Sequence, residues 1–244
     1  MRTVDRVCYA IAAALVLAGL FHLVVFFVDG GPWEGPVSWR KPTTFGVSFG
    51  LTLASIVWVT SYLWIAPRVR ALLLGVFAAD CVVEVAGITI QAWRGVPSHF
   101  NMQTPASRAI AMMLAFGGAV LVVVLVAFAL NAFRHATDAP PSMRLALRAG
   151  FATLLIGLAA GAAMIARGVV LTNTGHQQLA YQLGGFLKPL HAVSLHGVLV
   201  LPAFAWALSQ LAWPEARRRR VVAWSVGGYA LAITVALSIS VYAL

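Results

Sequence analysis

The chain has 244 residues, 61% of them hydrophobic and 10% charged, with a mean hydropathy of +0.89; an ordinary soluble domain carries about a quarter charged residues, so that class is excluded. The net charge of +10 would suit a nucleic-acid partner only if the basic residues formed a soluble face interleaved with aromatic side chains. They stand instead between apolar runs, and no nucleic-acid partner is expected.

Seven apolar runs, residues 7–28, 43–65, 71–92, 109–133, 145–166, 189–212 and 221–244, each come close to the roughly 20 residues that cross a hydrocarbon core. They predict an all-α fold, a polytopic seven-helix transmembrane bundle in one integral membrane domain, multi-pass in the cell membrane. The first run is longer than the apolar core of a signal peptide and has no small-x-small site before Asp29, so it reads as a retained helix. It carries His22 about two turns from its far end. Cys8 and Cys81 fall inside the first and third runs with no Cys-x-x-Cys spacing, which suits small packing residues.

Lys41-Pro42 opens the second run, where Thr44, Ser48 and Ser55 recur on one face. The third run holds Asp80, Glu84 and Gln91, which share a helical face with Gly87. It ends at Trp93-Arg94, before the connection that contains His99 and Phe100. A carboxylate inside a span is costly and marks the bundle interior, a partner or water; the plainer expectation is a neutral acid hydrogen-bonded to a neighbouring helix. After the fourth run comes a polar stretch with His135 and Pro140-Pro141. The fifth run leads into a long connection, residues 167–188, whose tract 172–178 reads as a polar loop over the site or a solvated one. Lys188-Pro189 opens the sixth run, which carries His191 and His196. Five residues turn a helix by about 140°, so these two histidines do not share a face. Arg217, Arg218, Arg219 and Arg220 precede the seventh run and suit anionic lipid headgroups. The spacings Gly46-x-x-x-Gly50 and Gly157-x-x-x-Gly161 predict close helix packing rather than phosphate loops.

Eleven basic residues (Arg2, Arg6, Arg68, Arg70, Arg134, Arg144, Arg148 and the four before the last run) lie on one side. Arg40, Lys41, Arg94, Arg108, Arg167 and Lys188 lie on the other. The positive-inside rule then puts the amino terminus in the cytoplasm and the carboxyl terminus outside. The recurrence of Lys-Pro before the second and sixth runs suggests two parallel three-helix repeats joined by the fourth span, a plan some transporters use; a snorkelling lysine beside a helix-opening proline explains it more simply.

With that orientation His22, Glu84, Gln91, His191 and His196 all fall in the outer half of the bilayer. Histidine and carboxylate together suit zinc, iron or copper, and two histidines on different helices suit the axial positions of a haem. The leading expectation is therefore an outward-facing site that binds a metal ion or haem through His22, His191, His196 and Glu84. Glu84 and His196 would be its central ligand or acid–base pair, and the site would act on its substrate or be redox-coupled to it. Arg94, Lys188, Lys41 and Gln91 would hold the anionic group of an amphiphilic substrate. The alternatives are a small-solute transporter with Glu84 or Asp80 as its protonatable coupling residue, or a membrane scaffold. Comparison with heptahelical families excludes more than it suggests. The last run has no lysine for a retinal-type chromophore, the His-x-x-x-His pair of ceramidase-type membrane hydrolases is absent, and three-plus-one-plus-three sugar transporters begin outside.

Overall fold

A computed structural model describes residues 2–134 and 137–242; His135 and the last two residues of the seventh run lie outside them. The described residues form eight helices and no strand: α1 (Thr3–Asp29), α2 (Arg40–Thr60), α3 (Pro67–Trp93), α4 (Pro105–Arg134), α5 (Pro141–Asn173), α6 (Gln177–Leu183), α7 (Lys188–Ser209) and α8 (Glu215–Tyr242). All but the short α6 are long and apolar enough to cross a membrane. Large apolar side chains such as Phe27, Phe116 and Trp224 point outward, more than 70% exposed, and their natural solvent is lipid. This is a multi-pass membrane protein.

The helices start before the apolar runs do. Pro67, Pro105 and Pro141 are the first residues of α3, α4 and α5, where the fixed φ of proline suits a helix and its missing N–H costs no hydrogen bond. α2 stops earlier than its apolar run. The amides of Ser61, Tyr62 and Leu63 bond carbonyls three residues back, tightening the last turn, and Ala66 precedes Pro67, which disfavours helix at that position. The connection 167–188 is largely helical, contrary to the expected loop. Thr172 Oγ1 donates to Gly168 O at 2.8 Å and Thr174 Oγ1 to Val170 O at 3.0 Å, so these polar side chains are satisfied by the helix itself. α5 therefore continues to Asn173 and is broken just beyond it at Gly175, whose φ is +82°.

The chain divides into two compact units. The first comprises Met1–Val57, Arg68–Val124 and Ile165–Gly185. Here α1 and α2 touch backbone to backbone: a Cβ on Gly46 would lie 2.7 Å from Gly19 Cα, and one on Gly50 would lie 2.6 Å from Ala12 O. The Gly46/Gly50 spacing thus serves close packing, as expected. Near the start of α3, Arg70 is 3% exposed; its Nη1 donates to Asp5 Oδ1 at 2.7 Å and its Nη2 to Val57 O at 2.7 Å, so one guanidinium ties α1, α2 and α3 together. In the α3–α4 connection Phe100 has a φ of +59°, a region bulky residues rarely enter. Its ring lies where side chains on Gly168 and Gly184 would be, and that seat holds the strained backbone.

The second unit comprises Trp58–Pro67, Leu125–Met164 and Phe186–Leu244. α5 meets α7 through Gly157 and Gly161, whose Cβ positions fall 3.0 Å from Leu195 N and 2.9 Å from the His191 ring. α7 and α8 pack along each other, with Tyr229 Oη donating to Val193 O at 2.7 Å. The start of α5 is fastened by Ser142 N, which donates to Glu215 Oε1 at 2.6 Å.

Candidate functional site

Asp80 is the middle residue of α3, about 20 Å from either end at 1.5 Å per residue. Glu84 follows one turn later on the same face. The helix that meets this face presents Gly117, in the apolar middle of α4. A Cβ on Gly117 would lie 2.5 Å from Glu84 Oε1 and 2.7 Å from Asp80 Oδ1. Both carboxyl groups therefore reach the same bare patch of backbone, and their oxygens are no further apart than the sum of those two distances.

Glu84 is 3% exposed and Asp80 half-buried. Asp80 Oδ2 and Glu84 Oε1 are buried without a hydrogen-bond partner. Among the described residues no Lys, Arg or His pairs with either acid. The titratable neighbours are Cys81, buried on the same helix, and beyond it Cys8 of α1. Two carboxylates this close cannot both ionise without a large electrostatic cost, and a buried polar group without a partner is itself costly. The plainer expectation, an acid satisfied by a neighbouring helix, does not describe this pair.

Towards the Gln91 end the stripe is closed. A Cβ on Gly87 would meet Leu114 Cδ2 at 2.9 Å and Met113 Cε at 3.1 Å, so apolar side chains of α4 fill the notch between Glu84 and Gln91. Gln91 is fully buried; its Oε1 accepts from Arg94 Nη1 at 2.7 Å and its Nε2 donates to Pro97 O at 3.4 Å. Two of the residues expected to hold a substrate anion thus hold each other. Lys41 and Lys188 stand in the first turns of α2 and α7. The charge of Lys41 bears on His99, outside the spans. Burial first, and Lys41 second, lower the His99 pKa from its ordinary 6.5 to about 4, and Ser98 Oγ sits 2.9 Å from its Nδ1.

The histidines are divided between the two units. His22, in the first, has both ring nitrogens engaged: a carbonyl can only accept, so Nδ1–H donates to Ala18 O at 2.7 Å, and Nε2 accepts from Trp93 Nε1–H at 3.1 Å. To ligate a metal it would have to give up one of these bonds. In the second unit the same logic places the protons of His191 and His196 on Nδ1, facing Gly157 O at 2.7 Å and Ala192 O at 2.6 Å, which leaves a lone pair on each Nε2. Among the described residues no three His, Cys, Asp or Glu side chains gather where they could hold a metal ion.

Sequence reasoning found Asp80, Glu84, Gly87 and Gln91 as one face because helical periodicity shows it. It missed Gly117, Leu114 and Met113, since no local pattern says which α4 residues meet that face. It also missed the pairing of Asp5 with Arg70. Compared with protein-family models, curated proteins and solved structures, the chain matches none.

Proposed function

We propose that this protein is a carrier of a small solute across the cell membrane, coupled to a cation that Asp80 and Glu84 take up and release in mid-membrane, with the amino terminus in the cytoplasm. The observation that carries this reading is the convergence of two buried, unpartnered carboxyl oxygens on Gly117. An ionisable group in a span is usually kept for function, and acids that only packed the fold would be hydrogen-bonded. A group that must gain and lose a positive charge cannot be locked to a permanent cation, and neither acid is. The Gly87 notch filled by Leu114 and Met113 fits a state closed towards Gln91. The metal or haem reading has less support, because His22 is committed to Ala18 and Trp93.

The test is reconstitution into proteoliposomes loaded with a pH-sensitive and a sodium-sensitive dye, to which a panel of small polar and amphiphilic solutes is added. Wild-type protein is expected to move protons or sodium with at least one solute. Glu84→Gln keeps the shape of the side chain and removes its ionisable proton, and it is expected to abolish that coupled flux while leaving expression and thermal stability unchanged. Coupled flux at the wild-type rate in both Glu84→Gln and Asp80→Asn would refute the proposal.

A further inference from the structure

We infer that the coupling cation is a proton, and that Asp80 and Glu84 exchange one between them and the medium while holding a second in common. This rests on the carrier reading and specifies its ion. A hard metal cation gathers about six or more oxygen ligands. The atoms nearest a Cβ on Gly117 belong to the two carboxyl groups, and among the described residues no third His, Cys, Asp or Glu joins them in a group that could hold a metal ion. The facing stretch of α4, from Leu114 to Leu121, has no side-chain oxygen, and its carbonyls are taken by helical hydrogen bonds. A proton needs far less: one O–H and one acceptor.

The geometry also suggests how a negative charge can exist there although, among the described residues, no basic side chain pairs with either acid. When both groups are protonated the pair is neutral. Loss of one proton, to water or to the bound solute, leaves one carboxylate and one carboxylic acid; both groups have an oxygen beside Gly117, and a side-chain rotation that closes the distance between them lets the remaining O–H donate to the carboxylate. Charge-assisted hydrogen bonds of this kind are short and strong. Each acid is thus placed to supply the other with a donor; Cys81 is the titratable group next to them on α3, with Cys8 of α1 beyond it, and a thiol is a weak donor, while Arg70 at the start of α3 is held by Asp5 of α1. Like charges separate the two protonation steps, as in other carboxyl dyads, and the titration belongs to the pair. Gly117 is what lets the two groups meet, because any side chain there would occupy the gap.

The experiment is infrared spectroscopy of the full-length protein in lipid, following the C=O band of protonated carboxyl groups across pH in sodium, potassium and choline salts. The band of the pair is assigned by its loss in the Asp80→Asn/Glu84→Gln double variant. The expected result is a single pH step that removes half of the pair's band and is the same in all three salts. Asp80→Ala should remove the step from the remaining acid, and Asp80→Asn, whose amide can take over as donor, should restore it. Loss of the band on adding sodium or potassium would overturn the inference in favour of a metal-cation site. So would loss of both halves together, or a full band that never titrates. If Asp80→Ala does not fold, the half-band step and its indifference to salt decide alone. Salt-independent titration without any solute-coupled flux would sink the carrier and leave the shared proton standing. Sodium-driven flux with a sodium-sensitive band would do the reverse.

Discussion

Gly117 and Gly118 are neighbours in α4, yet a Cβ on the first would press on both carboxyl groups and one on the second would meet nothing within 4 Å. This pair is a built-in control. Gly118→Ala should be silent or stabilising by up to about 1 kcal/mol, the helix-propensity gain. Gly117→Ala gains the same propensity but must push two flexible side chains aside, so its folding should change little while coupled flux falls at least tenfold. Equal flux in the two variants would mean that the carboxyl groups act separately. His99 makes a second prediction at this scale. Its folded pKa of about 4 lies below the ordinary 6.5, so between those values the unfolded chain binds more protons and stability falls as pH is lowered. It should be flat above about 6.5 and lose on the order of 1–3 kcal/mol by pH 4. Thermal melting in detergent should show a shallower acid loss in His99→Gln.

Between elements, the Arg70–Asp5 contact is a buried ion pair that joins α3 to α1. Asp5→Asn would leave a guanidinium that is 3% exposed without its counter-charge, at a cost of about 3–5 kcal/mol. The double change Asp5→Leu with Arg70→Met removes both charges and should recover most of the melting temperature. A double variant no more stable than Asp5→Asn would show that the contacts of Arg70 with α2, through Val57 O, matter more than the ion pair. Helix existence was legible at this scale, because long apolar runs have few alternatives. Helix ends were not: Thr172 and Thr174 look like loop residues, yet their hydroxyls bond their own helix and extend it.

For the whole molecule, orientation is an expectation drawn from the basic residues. The eleven-to-six division predicts that a cysteine placed at Pro140 is labelled by an impermeant thiol reagent only from the cytoplasmic side; labelling of that site in intact cells would invert the protein and turn the Gln91 end of α3 towards the cytoplasm. Length and hydropathy alone determined that the chain is helical and crosses the bilayer, because a lipid core leaves the backbone few ways to satisfy its hydrogen bonds. The same periodicity put Asp80, Glu84 and Gln91 on one face of one helix. Only tertiary structure decided what each polar residue meets. It set Gly117 under the carboxyl pair, Trp93 against His22, Arg94 on Gln91 and Asp5 on Arg70. These partners lie tens of residues away or on other helices in all but one case, and their choice depends on how helices cross, which side-chain volume and backbone approach determine and no local pattern encodes.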